Sequence, residues 1–224
     1  MDSIFSVEDL KFSYSFGTVN IEALQGVSMN LQKGKFYCLS GPSGSGKTTF
    51  LNLLGLIEDV QGGDIEFQGK KFKSITEQEK NYIRRNQIGF IFQHFNLFPV
   101  LSAEENIEFF LVRQGVKKAE RKKLVDKALK DVGLWDHRGK RPLEMSGGQR
   151  QRVAVARALT KRPLVIIGDE PTASLDQKTG KEIVNLLKNL SDEYGASIIL
   201  SSHDTMVHEF AEELVILKDG RLAS

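Results

Sequence analysis

The run Gly41-Pro42-Ser43-Gly44-Ser45-Gly46-Lys47-Thr48 has the spacing G-x-x-x-x-G-K-[ST], and each residue type in it suits a polyphosphate. Glycines let successive backbone N–H groups turn inward around an anion. Lys47 adds a point charge for the β- and γ-phosphates, and Thr48 offers a hydroxyl to Mg²⁺. The helix expected next, carrying Phe50, Leu51, Leu53 and Leu54, aims the positive end of its dipole at the same phosphates. Gly41 to Thr49 is therefore the candidate segment for a nucleotide with its Mg²⁺.

A second group lies at the end of an apolar run, Leu164-Val165-Ile166-Ile167-Gly168-Asp169-Glu170. Ligands of open α/β sheets bind at the carboxyl ends of strands, so Asp169 is placed to hold Mg²⁺ through water. Glu170 can then sit near the γ-phosphate and take a proton from the attacking water. Such an acidic pair is common by itself; beside a phosphate loop it points to catalysis. His203, in Leu200-Ser201-Ser202-His203-Asp204, follows another apolar run and is a candidate γ-phosphate contact.

The elements that must carry these residues read as an alternating α/β chain. Ile4 to Tyr14 and the alternation Val27, Met29, Leu31 predict half-buried antiparallel strands. The continuous apolar runs Phe36–Leu39, Leu164–Ile167 and Ser197–Leu200, with the shorter Gly89–Phe92, predict strands buried on both faces of a parallel sheet. Ile183, Leu186, Leu187 and Leu190 fall on one helical face, and strands alternating with helices imply right-handed crossovers. In the middle third, Ser102 and Glu105 make a capping box ahead of Ile107, Phe110 and Leu111. Lys117 to Lys130 is densely charged, yet Leu124, Ala128 and Leu129 share a face, which predicts a solvated helix with an apolar stripe. Leu214 to Leu217 and the Asp219-Gly220 turn predict a closing hairpin. One domain over residues 1–224 is expected, with an inserted helical subdomain over about 94–160.

Composition narrows the function classes. Hydrophobic residues make up 40% and charged residues 27%, enough for a large core under a solvated surface. With 31 basic against 29 acidic side chains the net charge is +2, which gives no argument for a nucleic-acid partner. The single Cys38 sits in an apolar run and reads as a packing residue in a reducing compartment. No apolar stretch is long enough to span a bilayer and no signal-peptide pattern opens the chain, so a cytosolic protein is expected.

Leu143-Glu144-Met145-Ser146-Gly147-Gly148-Gln149-Arg150-Gln151-Arg152 resembles the signature sequence of ABC ATPases, normally Leu-Ser-Gly-Gly-Gln, with Met145 in place of the leading leucine. Ser146 caps a helix whose first N–H groups, exposed by Gly147 and Gly148, form a second anion site. The resemblance runs along nearly the whole chain. It implies a P-loop, RecA-like parallel-sheet core with an N-terminal antiparallel β subdomain and an inserted α-helical subdomain. It also implies ATP with Mg²⁺ as cofactors, Asp169 and Gln93 at the magnesium site with Thr48, Glu170 as general base and His203 as the switch histidine. By the same likeness Tyr14 stacks on adenine and Ser174-Leu175-Asp176 is a dimer-contact loop.

In that family two such domains meet head to tail, each ATP held between one copy's phosphate loop and the other's Ser146, Gly147, Gly148 and Gln149. The partners implied are a second copy and an integral membrane permease, placing the chain on the cytoplasmic face of the inner membrane. The stretch Arg84 to Pro99 looks like the subgroup serving macrolide exporters, lipoprotein-releasing complexes and cell-division complexes. Phe95, Leu97, Phe98 and Leu101 belong either to the subdomain core or to a groove that receives a permease helix. Three rivals stand beside this reading. A soluble ABC ATPase of repair or translation normally fuses two such domains. A non-transport regulator would use the same motor to signal through a membrane partner. A GTPase or small-molecule kinase would lack any use for Met145 to Gln149, and the guanine-reading Asn-Lys-x-Asp is absent.

Overall fold

The computed structural model describes residues 2–223, with Phe16 described by its backbone alone. A long antiparallel hairpin opens the chain, β1 (Ser3–Phe16) and β2 (Val19–Gln32), turning at Gly17 with φ +60°. There follow β3 (Phe36–Ser40), α1 (Lys47–Leu54), β4 (Gly62–Phe67), β5 (Lys70–Lys71) and α2 (Glu77–Asn86). After β6 (Ile88–Phe92) come three helices, α3 (Ala103–Arg113), α4 (Lys118–Asp131) and α5 (Gly147–Thr160). The chain then runs β7 (Val165–Asp169), α6 (Gln177–Tyr194), β8 (Ser197–Ser201), α7 (Thr205–His208), β9 (Glu213–Lys218) and β10 (Arg221–Leu222).

These strands form two sheets, in the orders β2-β1-β4-β5 and β10-β9-β3-β8-β7-β6. Every pairing of the first is antiparallel, and the second is parallel apart from the short β10. The expectation for the chain end needs one addition. The turn at Asp219-Gly220 closes a hairpin, but β9 is chiefly a parallel neighbour of β3, so the end of the chain extends the central sheet.

Period-two alternation explains why the central strands are apolar throughout. Phe36 and Cys38 of β3 face the helices α3 to α6, while Tyr37 and Leu39 face α1 and the antiparallel sheet. Ile198 and Leu200 of β8 join the first core and Ile199 the second. Helix α5 packs against α3, α4, α6 and β6, so the helical middle third shares its core with the sheet. Each of α2, α3 and α5 starts with a reciprocal capping box, Thr76/Glu79, Ser102/Glu105 and Ser146/Gln149.

Candidate functional site

The turn from β3 to α1 carries Gly41 at φ +143°, Gly44 at +78° and Gly46 at +101°, a left-handed half of conformational space that side chains disfavour. Space excludes them too. A Cβ on Gly41 would lie 2.0 Å from the Leu217 carbonyl oxygen, and one on Gly46 2.5 Å from that of Ala23. Gly46 caps α1 without any side-chain hydrogen bond, so the first N–H groups of the helix face the loop interior as anion donors. Lys47 folds back over the loop, its Nζ donating to the Gly41 carbonyl at 2.7 Å and the Pro42 carbonyl at 3.0 Å. The buried Ser45 hydroxyl has no hydrogen-bond partner among the described residues, while the Ser45 carbonyl accepts from Gly220 N–H at 3.1 Å. The closing hairpin thus braces the loop from behind.

Strand β7 delivers Asp169 opposite this loop. Its Oδ2 accepts from the Thr48 hydroxyl at 2.9 Å and its Oδ1 from the Ser201 hydroxyl at 2.5 Å. Glu170 follows at φ +45°, a conformation costing about 1–3 kcal/mol for a residue with a side chain. Its N–H is held by Ser201, at 3.2 Å from the carbonyl oxygen and 3.0 Å from the hydroxyl. Glu170 Oε1 lies 2.9 Å from His203 Nδ1; the His203 side chain is 72% exposed and that of Glu170 only 19%. On the far side Tyr14 packs edge-on to Phe12, its hydroxyl 3.4 Å from Thr49 Oγ1. The Gln93 carbonyl accepts from the Ser174 hydroxyl at 3.1 Å.

Tyr14, Gly41 to Thr49, Gln93, Asp169, Glu170 and His203 all line one cleft of about 760 Å³, roomy enough for a nucleotide. The Thr48 hydroxyl, the Asp169 carboxylate and the Gln93 side-chain amide all line it, oxygen donors of the kind that could hold Mg²⁺ beside phosphates. No cluster of three or more His, Cys, Asp or Glu side chains fit to hold a metal occurs among the described residues. A Mg²⁺ that keeps waters and phosphate oxygens needs none.

Ser146, Gly147, Gly148, Gln149 and Asp176 do not line this cleft. Ser146 Oγ accepts from Gln149 N–H at 3.2 Å and Gln149 Oε1 from Ser146 N–H at 3.0 Å, the capping box that opens α5. Asp176 caps α6, accepting from Thr179 N–H at 3.0 Å, and hydrogen bonding from the Thr179 side chain first, then from its N–H, holds the Asp176 carboxyl below the usual range. The two helix starts press together: a Cβ on Gly148 would lie 2.6 Å from Thr179 Cγ2.

A second cleft of about 790 Å³ lies between α2, β6, α3 and α5. Phe90, Phe92, Phe98, Phe109 and Phe110 give it apolar walls, with Phe98 and Phe109 centroids 4.5 Å apart. Arg84, Arg85, Arg113, Arg157 and Lys161 line it as well, and no Asp or Glu does. Among the described residues none of these five cations forms an ion pair. Burial pushes Arg157 down to about 10, and burial with the neighbouring Arg157 pushes Lys161 down to about 8. Arg157 donates to the carbonyls of Asn96 at 2.5 Å and Phe95 at 2.9 Å, pinning two residues at φ +46° and +62° just after Gln93. The apolar cluster read from the sequence divides here. Leu97 packs into the core, Phe95 lies under Arg150 with 5.0 Å to the ring centroid, and Phe98 turns to the groove.

Sequence reasoning missed Ser201, Arg157 and Lys161. A serine inside an apolar strand and two cations on an amphipathic helix carry no local signal of what they touch.

The family model described as ABC transporter matches residues 24–173. Similar proteins include an ABC transporter ATP-binding protein of Methanocaldococcus jannaschii, 40% identical over 98% of this chain and 95% of that one. The macrolide export ATP-binding/permease protein MacB of Syntrophobacter fumaroxidans is 36% identical over 97% of this chain, which spans only 31% of it. Among solved structures, a dimeric ATP-binding cassette in a post-hydrolysis state with ADP and Pi superposes with a TM-score of 0.90 at 38% identity, covering 98% of this chain and 97% of that one.

Proposed function

The chain belongs to the ABC transporter family as an ATP-binding, ATP-hydrolysing cassette, and on that premise we propose that it works in a head-to-tail pair to move a separate membrane permease. One observation carries the pairing. The cleft gathers the phosphate loop, Tyr14, Gln93, Asp169, Glu170 and His203, yet leaves the amides after Ser146 outside it. A chain with two such half-sites is completed by a second copy, and the dimeric, ADP-bound relative supports that arrangement.

In this reading Tyr14 carries the adenine face and the amides of Gly41 to Thr49 wrap the phosphates, with Lys47 on the β- and γ-groups. Thr48, Asp169 and Gln93 would hold Mg²⁺, which when bound neutralises charge on the phosphate oxygens. Glu170 orients the attacking water and takes its proton, and His203 on Glu170 Oε1 fixes that carboxylate's direction. The helix start Ser146 to Gln149 of the second copy would meet the γ-phosphate, Gly147 and Gly148 offering the amides that the Ser146/Gln149 capping box does not use, and Asp176 sits in the contact loop between copies.

The aromatic, cation-lined cleft beside Gln93 supports a permease contact. Its apolar walls suit an amphipathic helix, and five unpaired cations match acidic residues on that helix. No helix among the described residues is long and apolar enough to cross a membrane, so attachment to the cytoplasmic face would come through this contact. The likeness to a macrolide export protein supports an export system with a drug cargo, while a lipoprotein or peptide cargo, or a force-transmitting role, rests on the texture of Arg84 to Pro99. The test is a tagged pull-down from detergent-solubilised membranes with mass spectrometry. A multi-span protein with a large extracytoplasmic domain is expected, lost with Phe98→Glu while ATP binding persists. Its retention by Phe98→Glu removes the groove from the account, and recovery of ribosomal proteins alone removes the permease.

A further inference from the structure

We propose that Ser201 is a positioning residue for hydrolysis, its buried hydroxyl locking the Asp169 carboxylate and the Glu170 backbone into one arrangement. The inference rests on the magnesium-site and general-base roles proposed above for those two residues.

The parallel register of β7 and β8 sets Asp169 directly beside Ser201, which is fully buried. A hydroxyl has one proton and two lone pairs. The proton goes to Asp169 Oδ1 at 2.5 Å, and a lone pair accepts Glu170 N–H at 3.0 Å. Asp169 Oδ2 is taken by the Thr48 hydroxyl at 2.9 Å. A continuous line therefore runs from the phosphate loop through Asp169 and Ser201 to the backbone of Glu170. Glu170 needs such an anchor, because at φ +45° its backbone relaxes unless its surroundings fix it. The neighbouring Ser202 is equally buried but has a different task, accepting from Asp204 N–H at 3.1 Å in the turn before α7. Removing the Ser201 hydroxyl frees one carboxylate oxygen of Asp169 to rotate and loosens the Glu170 amide by one of its two acceptors.

The test compares Ser201→Ala, Ser201→Thr, Ser202→Ala and Glu170→Gln in the full chain. Steady-state hydrolysis is measured beside binding of a fluorescent ATP analogue titrated with Mg²⁺ or held in EDTA. Ser201→Ala should lower kcat about 10- to 100-fold, the usual result of sub-ångström misplacement, with KM little changed. It should raise the Mg²⁺ concentration needed for tight binding several-fold and leave binding in EDTA unchanged. Ser201→Thr, which keeps the hydroxyl, should restore both, and Ser202→Ala should resemble the parent. Parent-like kcat and Mg²⁺ titration in Ser201→Ala overturn the proposal. So does a loss that extends to binding in EDTA and is not rescued by threonine, which marks a structural role. If Ser201→Ala does not fold, Ser201→Cys preserves volume with a weak donor; slowed turnover supports the proposal and parent-like turnover overturns it. Parent-like turnover of Glu170→Gln instead sinks the reading of Glu170 on which the proposal rests.

Discussion

Glu170 and Lys161 show two ways a single charged residue can matter. Glu170→Gln keeps the side chain's size but removes the proton acceptor, so kcat should fall about 10²- to 10⁴-fold in an ATPase assay while ATP affinity holds. Lys161 carries its charge in the groove at a folded pKa of about 8, against 10.5 for an ordinary lysine. The unfolded chain then binds more protons between those values, so the free energy of unfolding should rise from pH 8 toward 10.5. Lys161→Met should flatten that rise and raise the unfolding temperature at pH 7, as followed by calorimetry. An unchanged pH profile would show that the ammonium is solvated. Cys38, pushed up to about 12 by burial and by the Glu170 charge, should resist thiol reagents at pH 8 until the protein unfolds. The placement of the strand-end carboxylates and of the loop glycines in one cleft was legible from the sequence. Ser201, whose role depends on which strand lies beside it, was not.

At the scale of elements, the loop between β3 and α1 depends on the end of the chain. Gly41→Ala forces a Cβ against the Leu217 carbonyl of β9 at a φ of +143°. It should lower stability by about 2 kcal/mol or more and abolish nucleotide binding, read by chemical denaturation and by a fluorescent nucleotide. Ser146→Ala removes the cap of α5, a loss of about 1 kcal/mol, and should weaken ATP-driven pairing beyond that stability change. The central strands were legible because both faces of each are buried, giving continuous apolar runs such as Phe36–Leu39. Residues 62–86 were not. Strand β4 buries only Ile65 and Phe67, α2 buries only Ile83, and neither leaves a periodicity that stands out from a polar loop. The pairing of β9 with β3 was equally hidden, since a six-residue strand does not advertise a neighbour 170 or more positions away.

For the whole molecule, the proposed completion of each site by a second copy is the central point. Phosphate loop and acidic pair share one cleft, the Ser146 turn lies outside it, and Gln93 of that cleft is followed by the strained turn at Phe95 and Asn96, of which Asn96 lines the cation-lined groove. The measurement that tests this most directly is sedimentation velocity of the Glu170→Gln chain with and without ATP and Mg²⁺. A monomer, or at most a weak dimer, is expected without nucleotide, and a stable dimer with ATP that disappears in Ser146→Arg. A Glu170→Gln chain that stays monomeric with saturating ATP and still hydrolyses it at the parent rate would contradict the account.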